Sequence, residues 1–530
     1  MNDETAKSTA PDLVLITQAR DYRPNRMCVV VSDLHFTDGT VGFQNLNERT
    51  WNSFYNTILQ RCVTYHINEL VLVLDGDIVD MIRSGKWAEK GVYPWERERK
   101  ECFSAVVKAI IKDIVEDKHA SFFEWLKSLE DNLRRDTKNW DRAAAFEKLK
   151  IVITVGNHDK ELLCDNEALT YFYEQGLGIR LSDIDEERRR LLGTMYGDET
   201  MFLDPKTAPY FPFYYGDTGF RFFTTHGQWR DADNCARITG EGGADWSVAD
   251  GWSIEKWQKS KFAPFFNPCF GDTVAAGVLS TFIYKTKKQM KAQGLNDPEI
   301  VSVLDELDLY RPTYAAIERI LELTAKNRKN RENLEIVQVI EDMLYQCLIN
   351  WMGWDFTLQS ASQGLRIGLI IAKKLLEFFK FFGHGLQITF IAGLVKLLES
   401  GSKNHDPTPP SFKEMKNFPG FLPEYRHYGF QIHGEGHTHQ PLQGEVRIPG
   451  EQHPSTYINF GTWRDQIVLR EERGYRRRGM LRAMFILDLE NLSGNRDRSP
   501  RAFDYFVDDV LAWGDLNDNM NEIGKMAAKT

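Results

Sequence analysis

Three apolar runs, each stopping at a cluster of polar, metal-capable side chains, constrain this chain more than any other feature. Met27 to Val31 is apolar and mostly β-branched, and it runs into Ser32-Asp33-Leu34-His35. That composition and length predict a strand buried on both faces, and strand alternation would put Asp33 and His35 on one side. Glu69 to Leu74 repeats the pattern and stops at Asp75-Gly76-Asp77-Ile78-Val79-Asp80; Lys150 to Val155 repeats it again before Gly156-Asn157-His158-Asp159. Between the first two runs, Trp51, Tyr55, Ile58 and Cys62 recur at three- and four-residue spacing, predicting a helix near 48–65 with one apolar face. Strand, helix, strand implies a right-handed crossover and parallel strands. The three polar clusters then meet at the carboxyl edge of one sheet, where open α/β folds keep their sites.

The remaining chain supplies further features. Helices are expected near 101–116 and 120–134, and a short strand near 13–16. A hairpin is expected over 211–225, running into His226-Gly227. A largely helical stretch follows, with helices over 300–326, 331–352 and 363–399, until Asn404-His-Asp-Pro-Thr-Pro-Pro410 breaks it. A strand at 428–432 then leads to Gly436-His437-Thr438-His439, Thr456 to Trp463 contains Asn459, and last strands are expected at 465–469 and 480–489.

The polar ends collect Asp33, Asp77, Asn157, His35, His226, His437 and His439. Oxygen and nitrogen donors without thiolate suit Mn²⁺, Fe²⁺ or Zn²⁺ better than Ca²⁺ or a structural zinc. Seven protein ligands are too many for one ion; a carboxylate shared by two ions roughly 3.5–4 Å apart would accommodate them, a spacing suited to phosphoryl displacement. The seven cysteines (28, 62, 102, 164, 235, 269, 347) are scattered without a Cys-x-x-Cys pair, which argues for reduced thiols and against a zinc ribbon. A net charge of −10 gives no general attraction to nucleic acid or anionic membrane, although a local basic groove would alter that. The amino terminus has no signal-peptide pattern, and the apolar stretch 367–398 is interrupted by Lys373, Lys374, Glu377, Lys380 and Lys396. A cytoplasmic protein, soluble or peripheral to a membrane, is therefore expected.

Asp33-x-His35, Gly76-Asp77-x-x-Asp80, Gly156-Asn157-His158-Asp159, His226-Gly227 and Gly436-His437-x-His439 resemble, in order, the calcineurin-like metallophosphoesterases. The resemblance covers roughly 27–226 and 430–490. It implies a four-layer α/β/β/α sandwich, with 1–26 as a leader, 227–429 as a helical insertion and 491–530 as a carboxyl-terminal extension. It implies two divalent ions, manganese first and iron or zinc as alternatives. Asp33, His35, Asp77 and His439 would hold one, and Asp77, Asn157, His226 and His437 the other. His158, paired with Asp80, would lie outside the metal shell and assist the leaving oxygen. The implied activity is hydrolysis of a phosphodiester, pyrophosphate or phosphomonoester by a metal-bridging hydroxide; the alternatives are a nuclease or a non-catalytic binding protein on the same fold.

Met81 stands where protein Ser/Thr phosphatases of this superfamily carry Arg, which disfavours a phosphoprotein substrate. Structural readings compete at several positions: a helix cap for Asp80, an N-cap for Asp159 before Lys160, local hydrogen bonding for His433, structural or solvated roles for His66, His119 and His384, and a place beside the site for Asn459. In 366–382 the charged residues share one narrow helical stripe, leaving a wide apolar face. That face would pack in the insertion's own core, line an acyl groove or lie in a membrane interface through 366–398. A phosphorylated small-molecule or lipid-like substrate is expected, and the sequence sets no oligomeric state.

Overall fold

The computed structural model describes residues 16–17, 25–42, 46–140, 145–184, 186, 189, 192, 210–235, 266–311, 314–327, 334–381, 409–411, 429–447, 452–470, 474–479, 481–487 and 504–509. Its strands in chain order are β1 (Ile16–Thr17), β2 (Arg26–Val31), β3 (Glu69–Asp75), β4 (Lys148–Thr154), β5 (Tyr215–Asp217), β6 (Phe222–Thr224), β7 (Tyr310–Arg311), β8 (Ile432–Glu435), β9 (Leu442–Val446), β10 (Ser455–Asn459), β11 (Gln466–Arg470), β12 (Gly474–Arg478), β13 (Arg482–Leu487) and β14 (Asp504–Asp509).

The three apolar runs form the parallel part, β2-β3-β4, of a five-stranded sheet ordered β14-β13-β2-β3-β4, with β4 at one edge. Both faces of β2 and β3 are buried, as their continuous hydrophobicity requires, whereas β4 is buried only over its last three residues, Val152 to Thr154. Met27, Val29, Val31, Leu70, Leu72 and Leu74 pack against helical residues such as Trp51, Phe54, Ile110 and Leu129. The alternate residues Cys28, Val30, Val71 and Val73 pack against Phe222, Ile432 and Ile458 of the second, six-stranded sheet, ordered β1-β5-β6-β8-β10-β9. Each of these large side chains contributes roughly 1.5–3 kcal/mol by leaving water. The helical side is built by Glu48–Thr64, Lys100–Asp113 and Ala120–Trp140. The first opens with Asn47 accepting from Arg49 N at 3.0 Å, which satisfies one of the unpaired donors of its first turn.

The architecture is thus mixed α/β, with a helical layer on one face of a sheet and a second sheet on the other. A further helical layer on the far side of the second sheet is not established by the described residues.

Some boundaries differ from expectation for physical reasons. The strand expected at 428–432 lies at Ile432–Glu435, because parallel pairing with both Phe222–Thr224 and Thr456–Asn459 fixes its register. The helix expected over 300–326 is two, Pro298–Glu306 and Tyr314–Asn327, with β7 between them. Arg311 precedes Pro312, and a residue before proline is pushed from the helical to the extended region. β7 pairs with β11, Tyr310 with Ile467 and Arg311 with Val468, so the insertion is stitched into the carboxyl-terminal part of the fold. Residues from both termini also join sheets: β1 pairs with β5 and β14 with β13. The helix expected over 363–399 is described as Gln363–Phe381, and 382–398 and His384 lie outside the described residues.

The insertion has its own core, in which Phe282, Leu304, Ile340, Leu348 and Trp351 meet Leu365, Leu369, Ala372 and Leu376 of helix Gln363–Phe381. The opposite side of that helix exposes Ile367, Ile370, Ile371, Leu375 and Phe378. One side of the helix therefore packs in the insertion's own core, as one reading expected, and the other side is exposed. Leu369→Ala, at a position 0% exposed, is expected to cost about 2–5 kcal/mol through lost burial and a residual cavity. Ile371→Ser, at 54% exposure, is expected to leave stability within about 0.5 kcal/mol; urea denaturation of both variants checks the two-faced assignment.

Candidate metal centre

β2 ends at Val31, so strand alternation is not what brings Asp33 and His35 together. The loops after β2 and β3 instead run side by side, with Asp33 N donating to Gly76 O at 3.1 Å, His35 N to Asp77 O at 2.8 Å and Phe36 N to Ile78 O at 3.0 Å. Within these loops the backbone is strained. Among the described residues seven non-glycine residues have left-handed φ, and five are expected ligands: Asp33 (55°), His35 (50°), Asp77 (51°), His437 (66°) and His439 (59°). Such conformations cost roughly 1–3 kcal/mol each and persist only where the surroundings over-determine them.

The surroundings that do so are hydrogen bonds. Asp159 does not cap the short helix after it; no side-chain cap bond is made. Its carboxylate accepts instead from Asp77 N (2.6 Å), Val79 N (2.9 Å) and Gly156 N (2.9 Å), locking the loop after β3 to the loop after β4. Close approach excludes side chains at two glycines: a Cβ on Gly156 would lie 2.1 Å from Asp77 Oδ1, and one on Gly436 2.4 Å from Asp33 Oδ2. Thr462 Oγ1 donates to Asp33 O at 2.9 Å, and Asn459 Nδ2 to Gly436 O at 2.8 Å.

The ligand-type atoms converge in two buried groups that share a carboxylate. In one, His439 Nε2 lies 3.2 Å from Asp33 Oδ1 and 2.9 Å from His35 Nε2, and His35 Nε2 lies 3.6 Å from Asp77 Oδ2. In the other, His226 Nε2 lies 3.1 Å from Asp77 Oδ2, and Asp77, His226 and His437 each offer a ligand atom within 4.8 Å of the others. A third overlapping group is His35, Asp77 and His158, which puts His158 nearer the ligands than its expected place outside them.

Several of these ligands are oriented from behind. His226 Nδ1 lies 2.8 Å from Asp75 O, leaving Nε2 for the centre. Asp33 Oδ2 accepts from Ser32 Oγ at 2.6 Å and His437 N at 3.0 Å, leaving Oδ1. Asp80 serves two imidazoles, Oδ1 lying 2.7 Å from His158 Nδ1 and Oδ2 3.1 Å from His35 Nδ1. The nearby helix Gly85–Lys90 is capped by Ser84, not by Asp80. Asp231 was missed in the sequence, where it belongs to no motif, yet its Oδ2 lies 2.9 Å from His437 Nε2; only its distance of five residues from His226 hinted at it. His433 lies between the rings of Phe223 and Tyr457 beside Glu435, 3.1 Å away, and His119 stacks on Phe36 with Nε2 3.1 Å from Thr37 O.

Three observations fit this set to cations. Asn157 Oδ1, His226 Nε2 and Asp33 Oδ1 are buried without a hydrogen bond among the described residues, a state that costs about 1–3 kcal/mol per group unless something satisfies it. Against a burial that disfavours charge, His226, then His35 and His439, hold the Asp33 carboxyl well below the usual range. Burial likewise opposes the imidazolium of His226, but Asp77 and Asp33 raise it well above its usual value. The carboxylates thus favour the imidazolium at His226 and His35, while burial, with the charges of His35 and Arg311, lowers His439 well below its usual value; a divalent cation would satisfy the carboxylates while taking neutral histidine.

The chain matches no known protein-family model and no curated protein. The site therefore stands on its geometry. Asp77→Asn removes the charge shared by both groups and is expected to lower bound metal at both, and Gly156→Ala, by displacing Asp77, should do so too. Elemental analysis after Mn²⁺ reconstitution checks this; full occupancy in Asp77→Asn would contradict a shared carboxylate.

Proposed function

We propose that this chain is a dinuclear-metal phosphoesterase on a four-layer α/β/β/α sandwich, hydrolysing a phosphodiester, pyrophosphate or phosphomonoester. The observation that carries the reading is the Asp77 carboxylate, which lies between two buried histidine groups, 3.6 Å from His35 and 3.1 Å from His226. Asp33, His35, Asp77 and His439 would hold one ion, and Asp77, Asn157, His226 and His437 the other, with Asp231 orienting His437. Divalent cations held there would neutralise phosphoryl charge and acidify water near neutral pH. The donor set fits manganese, iron or zinc.

The chain's own part lies with His158 and Asp80. Asp80 fixes the Nδ1 side of His158, so Nε2 is the atom left to meet a leaving oxygen. Burial lowers the His158 pKa, opposed by the charges of Asp80 and Asp77. Because Asp80 also holds His35, its loss reaches both proton transfer and the first metal group.

With Mn²⁺, the purified protein is expected to hydrolyse a small phosphodiester or pyrophosphate and not DNA. DNA cleavage would favour a nuclease, and two bound ions without turnover of monoesters, cyclic nucleotides, nucleotide sugars or lipid-linked phosphates would leave a binding protein. His158→Gln should keep metal but lower kcat by roughly 10²–10⁴, more for an alkyl than for a p-nitrophenyl leaving group, since the latter needs no proton. Loss of metal in His158→Gln would make it a ligand instead.

No helix among the described residues is long and apolar enough to cross a membrane. The exposed Ile367, Ile370, Ile371, Leu375 and Phe378, beside Arg366, Lys373 and Lys374, suit a cytoplasmic protein resting on an anionic lipid surface. Co-sedimentation with phosphatidylserine vesicles, reduced in Ile371→Ser/Phe378→Ser, is the expected result; no sedimentation of the intact protein would remove the lipid-like substrate from this reading.

A further inference from the structure

Three guanidinium groups gather on residue 308 at the edge of the centre. Asp308 Oδ2 is hydrogen-bonded by Arg464 Nη2 and lies 3.8 Å from Arg83 Nη1. Arg311 Nη1 donates to Asp308 O at 2.8 Å and Tyr310 O at 2.9 Å, and its Nη2 lies 3.4 Å from His439 Nδ1. Arg83 Nη1 is also 3.6 Å from Asp80 Oδ2. The cluster therefore borders the side of the site that carries His35, His158 and His439.

Asp80 and Asp308 offer it carboxylates. Asp80 is already engaged by two imidazoles and by Arg83 N, so Asp308 is the main carboxylate facing three cations. Arg83 Nε and Nη1 are buried and make no hydrogen bond among the described residues. Arg311 and Arg464 hold two further guanidiniums against Asp308. Holding them there without an anion is unfavourable, whereas planar forks of donors match a phosphate in geometry as well as charge.

We propose that Arg83, Arg311 and Arg464 form a second anion site for a phosphate one bond or a short linker away from the phosphorus at the metals. The proposal rests on the phosphoesterase reading and narrows it to substrates with two neighbouring phosphates. Arg83 and His158 both sit on Asp80, which places the second phosphate on the leaving-group side. Arg311 comes from the insertion, held in place by the pairing of β7 with β11. The insertion thus shapes specificity by contributing a side chain as well as by standing near the site.

The test uses two non-hydrolysable probes, methylenediphosphonate and methylphosphonate, titrated calorimetrically into the full-length Mn²⁺-loaded protein. The wild type is expected to bind the diphosphonate at least about 10-fold tighter, and Arg311→Gln and Arg83→Gln should each remove about 10-fold or more of that preference, as for loss of a hydrogen bond to a charged group. Arg311→Lys should restore part of it, since charge returns without the fork. Circular dichroism and metal content, unchanged in each variant, establish that fold and metal centre survive. Equal weakening of both probes, or no change in either, would overturn the proposal and leave the arginines as counter-ions of Asp308 and Asp80. A wild type that prefers the diphosphonate yet hydrolyses no phosphoester would defeat the proposed activity while the anion site stands. Turnover of simple phosphodiesters without any diphosphonate preference would do the reverse.

Discussion

The carboxylate of Asp159, accepting three backbone N–H groups from the loops after β3 and β4, is the interaction on which the site's geometry most depends. Asp77 can bridge two histidine groups only if its backbone stays left-handed, and a single hydrogen bond, worth roughly 0.5–1.5 kcal/mol net, would not hold a conformation that costs about as much or more. Three bonds converging on one buried carboxylate do. Asp159 is 0% exposed, so its bonds are formed where solvent does not compete.

This arrangement explains why the centre combines rigidity with unmet polar demand. The two packed sheets and the helical layer supply the hydrophobic stabilisation, and the strand ends carry the strain. Asp33, His226 and Asn157 keep one atom each without a hydrogen bond, while every opposite atom that orients Asp33 and His226 is bonded from behind.

The insertion joins this centre by a short edge. Two residues of β7 pair with β11, and they put Arg311 beside His439 and Asp308 beside Arg464. Its remaining helices bury their own core, while one face of helix Gln363–Phe381 stays apolar and exposed. Pairing at the site and exposure elsewhere are compatible because the helix exposes one side and buries the other.

The order of apolar runs and polar ends, read from the sequence alone, determined the parallel β2-β3-β4 core, the helix Glu48–Thr64 and which residues lie at strand ends, because burial on both faces demands continuous hydrophobicity and helices demand a 3.6-residue period. It could not show that Asp33 and His35 meet through left-handed turns, since their spacing suits a strand as well. The separate helices on either side of Pro312 were legible in principle, but the strand between them formed because β11 offered it a partner. Asp231, Arg83, Arg311 and Arg464 carry no motif; they reach the site from four separated segments. The meeting of Asp231 with His437, and of Arg83 and Arg464 with Asp308, was decided by tertiary structure, because proximity across 100 or more residues is set by packing of the sheets and the insertion rather than by any local pattern of side chains.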